Sequence, residues 1–535
     1  ADGWLDNTRV EEPYKHGHPD VDRCCTLRPV EQHGIDFGVP LTIAAACTHN
    51  EHTGLVGRVL SAVPPCNEQY FDAGEFHRLT ANGTYSDTPY DEWVAYLPGR
   101  KRRRLELGAA ELISIGYHRN ARTMAHVKRE MSYGYRKGVV KPSDPRIIQA
   151  STPQESVLIG RHVHARSKHM MRTNPHGHVT YGVGMDASDV DDWLAYALDH
   201  VRGRPMFLTV DIERQDKSKR RGAKVAYAAS CARAGASHET ICQLNASHAI
   251  NGTTSSQIQY SCDDGQRSGQ NTTSSTNTED SVYIQRKLFD ERDAYSLTQG
   301  DDAFPVIGMD DHEVPAWSAL ITEEYAEAGY AVKLKFSREL IAAEYCSGRF
   351  YPADTPRGFA YGPKPGKLLP KLFARCGVEF DAAWVHAVAE NVLPSVWHLP
   401  VAREYVQHMS ALSLSMMPNS KQSRHARNRK RRTDAVRAVM LHVGRREGIR
   451  QSDRIYSAYM QLYGMGECDC DELVAEIRAV TKIPGVAKHP LWKKMNRVDR
   501  AGVPRDALCV ATVPFARTAL MAAGIAAVAV ANTLS

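Results

Sequence analysis

Two acidic stretches of this chain have the spacing that phosphoryl-transfer chemistry asks for. An apolar run, Met206 to Val210, reads as a short strand and delivers Asp211 to its C-terminal end, at the start of Asp211-Ile-Glu-Arg-Gln-Asp216. A second run, Phe304 to Ile307, leads into Asp310-Asp311, which we expect at the tip of a hairpin with Val314 to Trp317 as the returning strand. If the two strands are neighbours in one sheet, Asp211, Asp310 and Asp311, with the backbone carbonyl of Ile212, can hold two divalent ions about 3.5–4 Å apart. All-oxygen ligands suit Mg²⁺, with Mn²⁺ as a substitute. Taken alone, an acidic pair at a strand end is most often a solvated turn. Weight comes from the segment between the two stretches, Ser268-Gly-Gln-Asn-Thr-Thr273-Ser-Ser-Thr-Asn277-Thr278. A Ser-Gly start permits a loop of unusual backbone angles. The hydroxyls and Asn277 beyond it then fall one or two helical turns apart, spaced to contact a sugar.

The elements that must position these residues can be read coarsely. Helical patterns cover Leu105 to Ile115, Val157 to Lys168, Ser188 to His200, Ala223 to Ala234 and Glu323 to Gly329, and a third strand runs from Ala331 to Phe336. Lys333 and Lys335 flank Leu334 on that strand and so share a face. Residues 245–280 have the Ser/Thr/Asn/Gln/Gly composition of a flexible linker, but the order of residues within them is too particular for one. A basic loop spans Arg136 to Arg146, with Pro142 and Pro145 breaking regular structure. The last third is predicted to be largely helical.

In order and separation these motifs resemble the RNA-dependent RNA polymerases of positive-strand RNA viruses, closest to the nodavirus-like and tombusvirus-like groups. Asp211 and Asp216 match the first palm motif. Ser268, Gly269, Thr273, Asn277 and Thr278 match the second, and Met309-Asp310-Asp311 is aligned with the Gly-Asp-Asp turn. Cys346-Ser347 with Gly362-Pro-Lys-Pro-Gly-Lys367 looks like a downstream motif, and Asp144-Pro-Arg-Ile-Ile-Gln149 with Gly160-Arg161 looks like the basic fingers segment. The resemblance covers about residues 135–375. The chain departs from the pattern at Met309 (for Gly), Gln270 (for Asp), Gln215 (for an aromatic residue) and Ala150-Ser151 (for Pro-Arg).

The resemblance implies an α+β right-hand polymerase with fingers, palm and thumb, the palm a small antiparallel sheet backed by helices. Its parts would be an N-terminal extension at 1–100, fingers at 101–204, palm at 205–225, a fingers insertion at 226–264, palm again at 265–360, thumb at 361–510 and an apolar tail at 511–535. Asp211, Asp310 and Asp311 would serve the metal ions. Asp216 and Asn277, helped by Ser268, Gly269 and Thr273, would read the ribose 2′-hydroxyl. Lys141, Arg146 and Arg161 would meet the triphosphate, and Lys333 would protonate the leaving pyrophosphate. RNA template and product, NTPs, and viral or host replication proteins are the implied partners. The implied location is the host cytoplasm at membrane-bound replication sites.

The bulk properties bound these expectations. The chain has 535 residues, 42% of them apolar, and a formal charge of +6, a balance that permits a nucleic-acid partner without demonstrating one. Twelve cysteines at irregular spacing do not make a disulfide scaffold. Cys47, His49 and His52 are clustered but lack an ordered fourth ligand. Residues 421–432 hold seven Lys/Arg, suited either to an RNA backbone or to a solvated loop. The apolar tail from Ala519 to Ala531 is shorter than the ~20 residues of a spanning helix. Two rival functions remain open on the sequence. One is a non-catalytic RNA-binding protein that keeps the fold; the other is a DNA-making polymerase of the same shape.

Overall fold

The computed structural model describes residues 9–11, 27–29, 31–39, 41–61, 63–95, 97, 99–116, 123–133, 145–173, 177–375, 380–417 and 450–501. Lys141, most of the 136–146 loop, the basic 421–432 segment and the apolar tail lie outside them.

At the centre is a sheet of five strands: β1 (Val179–Tyr181), β2 (Pro205–Ile212), β3 (Ala294–Gln299), β4 (Asp302–Gly308) and β5 (Val332–Ser337), in the spatial order β5-β2-β4-β3-β1. All pairings are antiparallel except β3 with β1, which is parallel, so the expected antiparallel sheet carries one parallel edge strand. β2 shows why a strand forms here. Met206, Leu208, Val210 and Ile212 point to one face, and Phe207 points to the other, where it stacks near Phe304.

Five helices matter most to this sheet: α1 (Pro153–Thr173), α2 (Ala187–His200), α3 (Arg221–Arg233), α4 (Thr273–Phe289) and α5 (Val314–Glu327). One face packs on residues of α3, α4 and α5, including Ala226, Val282, Phe289, Ile321 and Tyr325. The other is covered by Trp193 and Leu194 of α2 and by Phe350 and Phe359 of an antiparallel hairpin, Gly348–Asp354 with Phe359–Pro363. The result is a mixed α+β fold in which several small sheets are backed by helices.

Helix α4 accounts for the misleading composition of residues 245–280. Ser and Thr are indifferent helix formers, yet from Ser275 through Gln285 every residue of α4 is buried. Burial of that many polar groups is tolerable only if they are paired. Ser275 Oγ donates to Glu279 (2.8 Å), and Thr278 Oγ1 donates to the Ser274 carbonyl (2.7 Å). Two buried ion pairs hold the middle of the helix. Arg166 of α1 meets Glu279 at 2.6 Å, both side chains fully buried, and Lys219 meets Asp280.

Val314 to Trp317 is not a returning strand. Pro315 lies in the first turn of α5, where its fixed φ and missing N–H are tolerated. The hairpin partner of β4 is the preceding strand, β3.

A second five-stranded sheet joins Arg9–Glu11, Gln259–Cys262, Ile250–Thr254, Thr123–Val127 and Ile147–Ala150 in that order. The C-terminal helices Ala382–Val396, Pro400–Ser415, Arg454–Tyr463, Glu467–Ala479 and Pro490–Ala501 share another core. Residues from the first hundred enter both regions. Ile35, Phe37 and Val39 lie in the helical core, Ile35–Asp36 pairs with Gly485–Val486, and Leu55 packs beneath the second sheet. Among the described residues no helix is long and apolar enough to cross a membrane.

Candidate functional site

The register of the central sheet brings four polar side chains into one row. Asp211 on β2 stands opposite Lys333 on β5 and opposite Asp302 on β4, and Asp302 stands opposite Gln299 on β3. The same face farther along β2 and β4 is apolar and covered, with Phe207, Phe304 and Val306. At the strand ends the cover stops, and the row faces a cavity of about 1050 Å³. Like charges directly opposite one another destabilise a sheet, so Asp211 against Asp302 is a costly pair, offset in part by Lys333 on the other side of Asp211.

Gly300 and Asp301 make the two-residue loop joining β3 to β4. Gly300 has φ 63, the positive angle that the first loop position of a II′ hairpin turn demands. The Asp301 carbonyl accepts the Ile212 amide at 3.1 Å and so ties the turn to the end of β2. Asp211, Ile212, Asp301 and Asp302 all line the cavity.

Asp310 and Asp311 do not meet Asp211. Antiparallel pairing puts Gly308 beside Pro205, at the opposite end of β2. Six strand steps at about 3.3 Å each put Gly308 roughly 20 Å from Asp302, and Asp310 and Asp311 come after it. Asp310 caps the turn at the start of α5, where its amide donates to Glu313 Oε2 at 2.6 Å; Asp311 is ion-paired with Arg338 at 2.8 Å. Met309 is buried in the core, 3% exposed. The literal signal, Gly300-Asp301-Asp302, stands in the sequence between two runs of strand character, and a Gly-Asp loop is a recognised hairpin signal. The hairpin turn expected at Asp310-Asp311 therefore lies before β4, at Gly300-Asp301.

The electrostatics follow from this crowding. Burial, then the Asp301 and Asp211 carboxylates, push Asp302 up to about 7. Burial also raises Asp211, and Lys333 opposes the shift. Lys333 Nζ lies 2.7 Å from Glu213 Oε1 and 3.9 Å from Asp211 Oδ2, at the cavity edge. Lys335 is turned to the Ala342 carbonyl at 3.1 Å.

Opposite the carboxylates lies the start of α4. Asn277 Nδ2 donates to Asp216 Oδ1 at 2.6 Å, and because a carboxylate only accepts, this fixes which end of the amide points where. Asn277 is 8% exposed, and its Oδ1 is buried without a partner. Burial raises Asp216, while hydrogen bonds from Asn277 and Ser268 pull it back. Gly269 has φ 108, and a Cβ there would stand 2.8 Å from Ile148 Cγ2, so only glycine fits the loop. Thr273 Oγ1 donates to the Arg267 carbonyl at 2.7 Å. Gln270 donates to Glu155 at 3.0 Å, and Gln215 donates to the Asn277 carbonyl at 2.9 Å. Gln270 and Gln215, two of the positions that depart from the resembled pattern, are thus buried glutamines that brace the loop and the start of α4.

Of the expected phosphate-binding cations, Arg146 lines the cavity and lies 3.2 Å from Glu130. Arg161 is not among its lining residues; its Nε donates to the Thr88 carbonyl at 2.8 Å. Arg58, Arg214 and Lys217 line the cavity and were not anticipated. Arg58 sits in the first hundred residues, with no local pattern to single it out; Arg214 and Lys217 lie within or beside the Asp211–Asp216 stretch.

The carboxylates of Asp211, Asp301 and Asp302, with the main chain of Ile212, are oxygen donors of the kind hard divalent ions prefer. Asp302, half-buried and raised first by that burial and then by the Asp301 and Asp211 carboxylates, marks a crowding of acidic groups that a cation would relieve. Among the described residues no group of three or more His, Cys, Asp or Glu side chains is gathered tightly enough to hold a metal ion as it stands, neither Asp211–Asp301–Asp302 nor Cys47–His49–His52. No protein-family model and no curated protein sequence matches the chain.

Proposed function

We propose that this protein is an RNA-dependent RNA polymerase with a right-hand fold, the central sheet serving as palm, the second sheet as part of the fingers and the C-terminal helices as thumb. The observation that carries the reading is the row Lys333–Asp211–Asp302 with Asp301 at the turn, facing the Asp216–Asn277 pair across one cavity.

The residues divide the work as follows. Asp211, Asp301 and Asp302 would hold divalent ions, Mg²⁺ or Mn²⁺, with the Ile212 carbonyl beside them. Such ions, when bound, activate the attacking hydroxyl and neutralise charge on the leaving group. The chain's own part is chiefly positioning and electrostatics. Arg146, Arg58 and Lys217 supply positive charge for a triphosphate. The unpaired Asn277 Oδ1 is an acceptor for a ribose 2′-hydroxyl, which favours NTPs over dNTPs. The primer 3′-hydroxyl would attack the α-phosphate in line as the bond to the β-phosphate breaks, and Lys333, at the cavity edge, would give a proton to the departing pyrophosphate.

The test is extension of a primed RNA template by the full chain with NTPs and Mg²⁺ or Mn²⁺. Parent protein should extend the primer, and Asp302→Asn should reduce the rate by more than about a hundredfold while RNA affinity is kept. RNA binding with no extension under either ion would favour a non-catalytic RNA-binding protein. Equal or better use of dNTPs would favour a DNA-making enzyme.

A further inference from the structure

Helix α4 holds more than the sugar-facing residue. Thr278 and Ser281, both fully buried, grip the glycine of the Gly300-Asp301-Asp302 turn by its two main-chain polar groups. The Gly300 amide donates to Thr278 Oγ1 at 2.8 Å, and Ser281 Oγ donates to the Gly300 carbonyl at 2.8 Å. Ser281 Oγ also lies 3.1 Å from the Asn277 carbonyl, but a hydroxyl has one proton. That carbonyl already accepts from Gln215 Nε2 at 2.9 Å, so the Gly300 carbonyl is the better target. Gln215 Nε2 donates to Ser281 Oγ as well, at 3.1 Å. Asn277 and Ser281 are four residues apart and therefore share one helix face. The loop glycine has nothing within 4 Å of a built Cβ, so side-chain packing does not hold the turn at that point.

Resting on the polymerase reading, we infer that Ser281 and Thr278 are positioning residues that couple ribose recognition at Asn277 to the placement of Asp301 and Asp302. A 2′-hydroxyl that engages Asn277 Oδ1 loads one end of a single helical turn whose other end holds the carboxylate turn. Sugar discrimination is then exercised in the chemical step as well as in binding. A deoxyribose cannot engage Asn277 in this way and gains less from the clamp.

The experiment compares Ser281→Ala, Thr278→Val and Thr278→Ser in the full chain, with kcat and KM measured separately for an NTP and its dNTP. Thr278→Val keeps the shape and removes the hydroxyl; Thr278→Ser restores it. The expected result is a fall of about tenfold or more in kcat for the NTP, little change in KM, and a clearly smaller fall for the dNTP. The NTP:dNTP ratio therefore drops in Ser281→Ala and Thr278→Val and recovers in Thr278→Ser. Unchanged ratios in an active protein, a change confined to KM, or failure of Thr278→Ser to recover the ratio would each overturn the coupling. Should Ser281→Ala melt early, the Thr278 pair carries the comparison. A parent chain that extends no primer would instead overturn the polymerase reading, a different outcome from altered variants of an active parent.

Discussion

Three carboxylates converge at one end of the central sheet and two more sit at the other, and their surroundings separate their roles. Asp310 and Asp311 are exposed, one at the start of the short 3-10 turn that leads into α5 and one paired with Arg338. Asp310→Asn should therefore leave primer extension within about threefold of the parent, since an exposed cap is worth only ~1 kcal/mol of stability. Rate and melting temperature measured together check this, and a hundredfold loss of rate would restore Asp310 to the active site. Asp302 differs because its carboxyl is pushed up to about 7 by burial, then Asp301 and Asp211. Below that pH it carries a proton that an incoming cation must expel, so affinity for Mn²⁺ should weaken as pH falls from 8 to 6. The stability effect of the same group has the opposite sense. Its folded pKa exceeds the ordinary carboxylate value, so the metal-free chain binds the proton more tightly when folded. It loses that stabilisation as pH rises from about 4 toward 7. Mn²⁺ titrations by calorimetry across this range, with Asp302→Asn as the flat control, measure the first effect.

At the scale of elements, α4 sits where it does because buried charges pin it. Arg166 of α1 donates to Glu279 and also to Ser230 Oγ of α3 at 2.8 Å, so one guanidinium joins three helices. Arg166→Met should destabilise the fold by about 3–5 kcal/mol, because Glu279 is left buried without its partner. Adding Glu279→Gln should recover part of that loss by removing the stranded charge. Denaturant unfolding of the single and double variants decides the matter; equal losses in both would mean that packing, not charge, is at stake. The same helix carries Asn277, Thr278 and Ser281, so a shift of α4 reaches both the Asp216–Asn277 pair and the carboxylate turn.

At the scale of the molecule, the first hundred residues tie distant parts of the chain together. The segment around Ile35–Val39 completes the C-terminal helical core, and the 48–60 region reaches the cavity with Arg58. Phe37, 2% exposed, packs on Tyr405 (centroids 5.1 Å apart) and Trp492 (4.3 Å). Phe37→Ala should cost about 3–5 kcal/mol, a loss carried by the C-terminal helices although the substitution lies more than three hundred residues away in sequence. Limited proteolysis should then cut first within residues 380–501. Unaltered protection there would mean that the helices fold independently of the N-terminal segment.

The apolar run Met206–Val210 was enough to put Asp211 near the end of its strand, and the order of residues from Ser268 to Thr278 was enough to put Asn277 on a helical turn, because those relations are local. The helix assignments for α1, α2 and α3 rest on the same short-range periodicity. Which acidic pair meets Asp211 is a question of strand direction and register. An antiparallel register sends residues after β4 to the far end of the sheet and those before it to the near end, and nothing in the acidic pairs themselves reveals which end is near. The bracing glutamines, the buried Arg166–Glu279 pair, the part played by Arg58 and the grip on Gly300 are likewise contacts between segments far apart in sequence. Their energies depend on burial and pairing, which exist only once the helices have closed on the sheet.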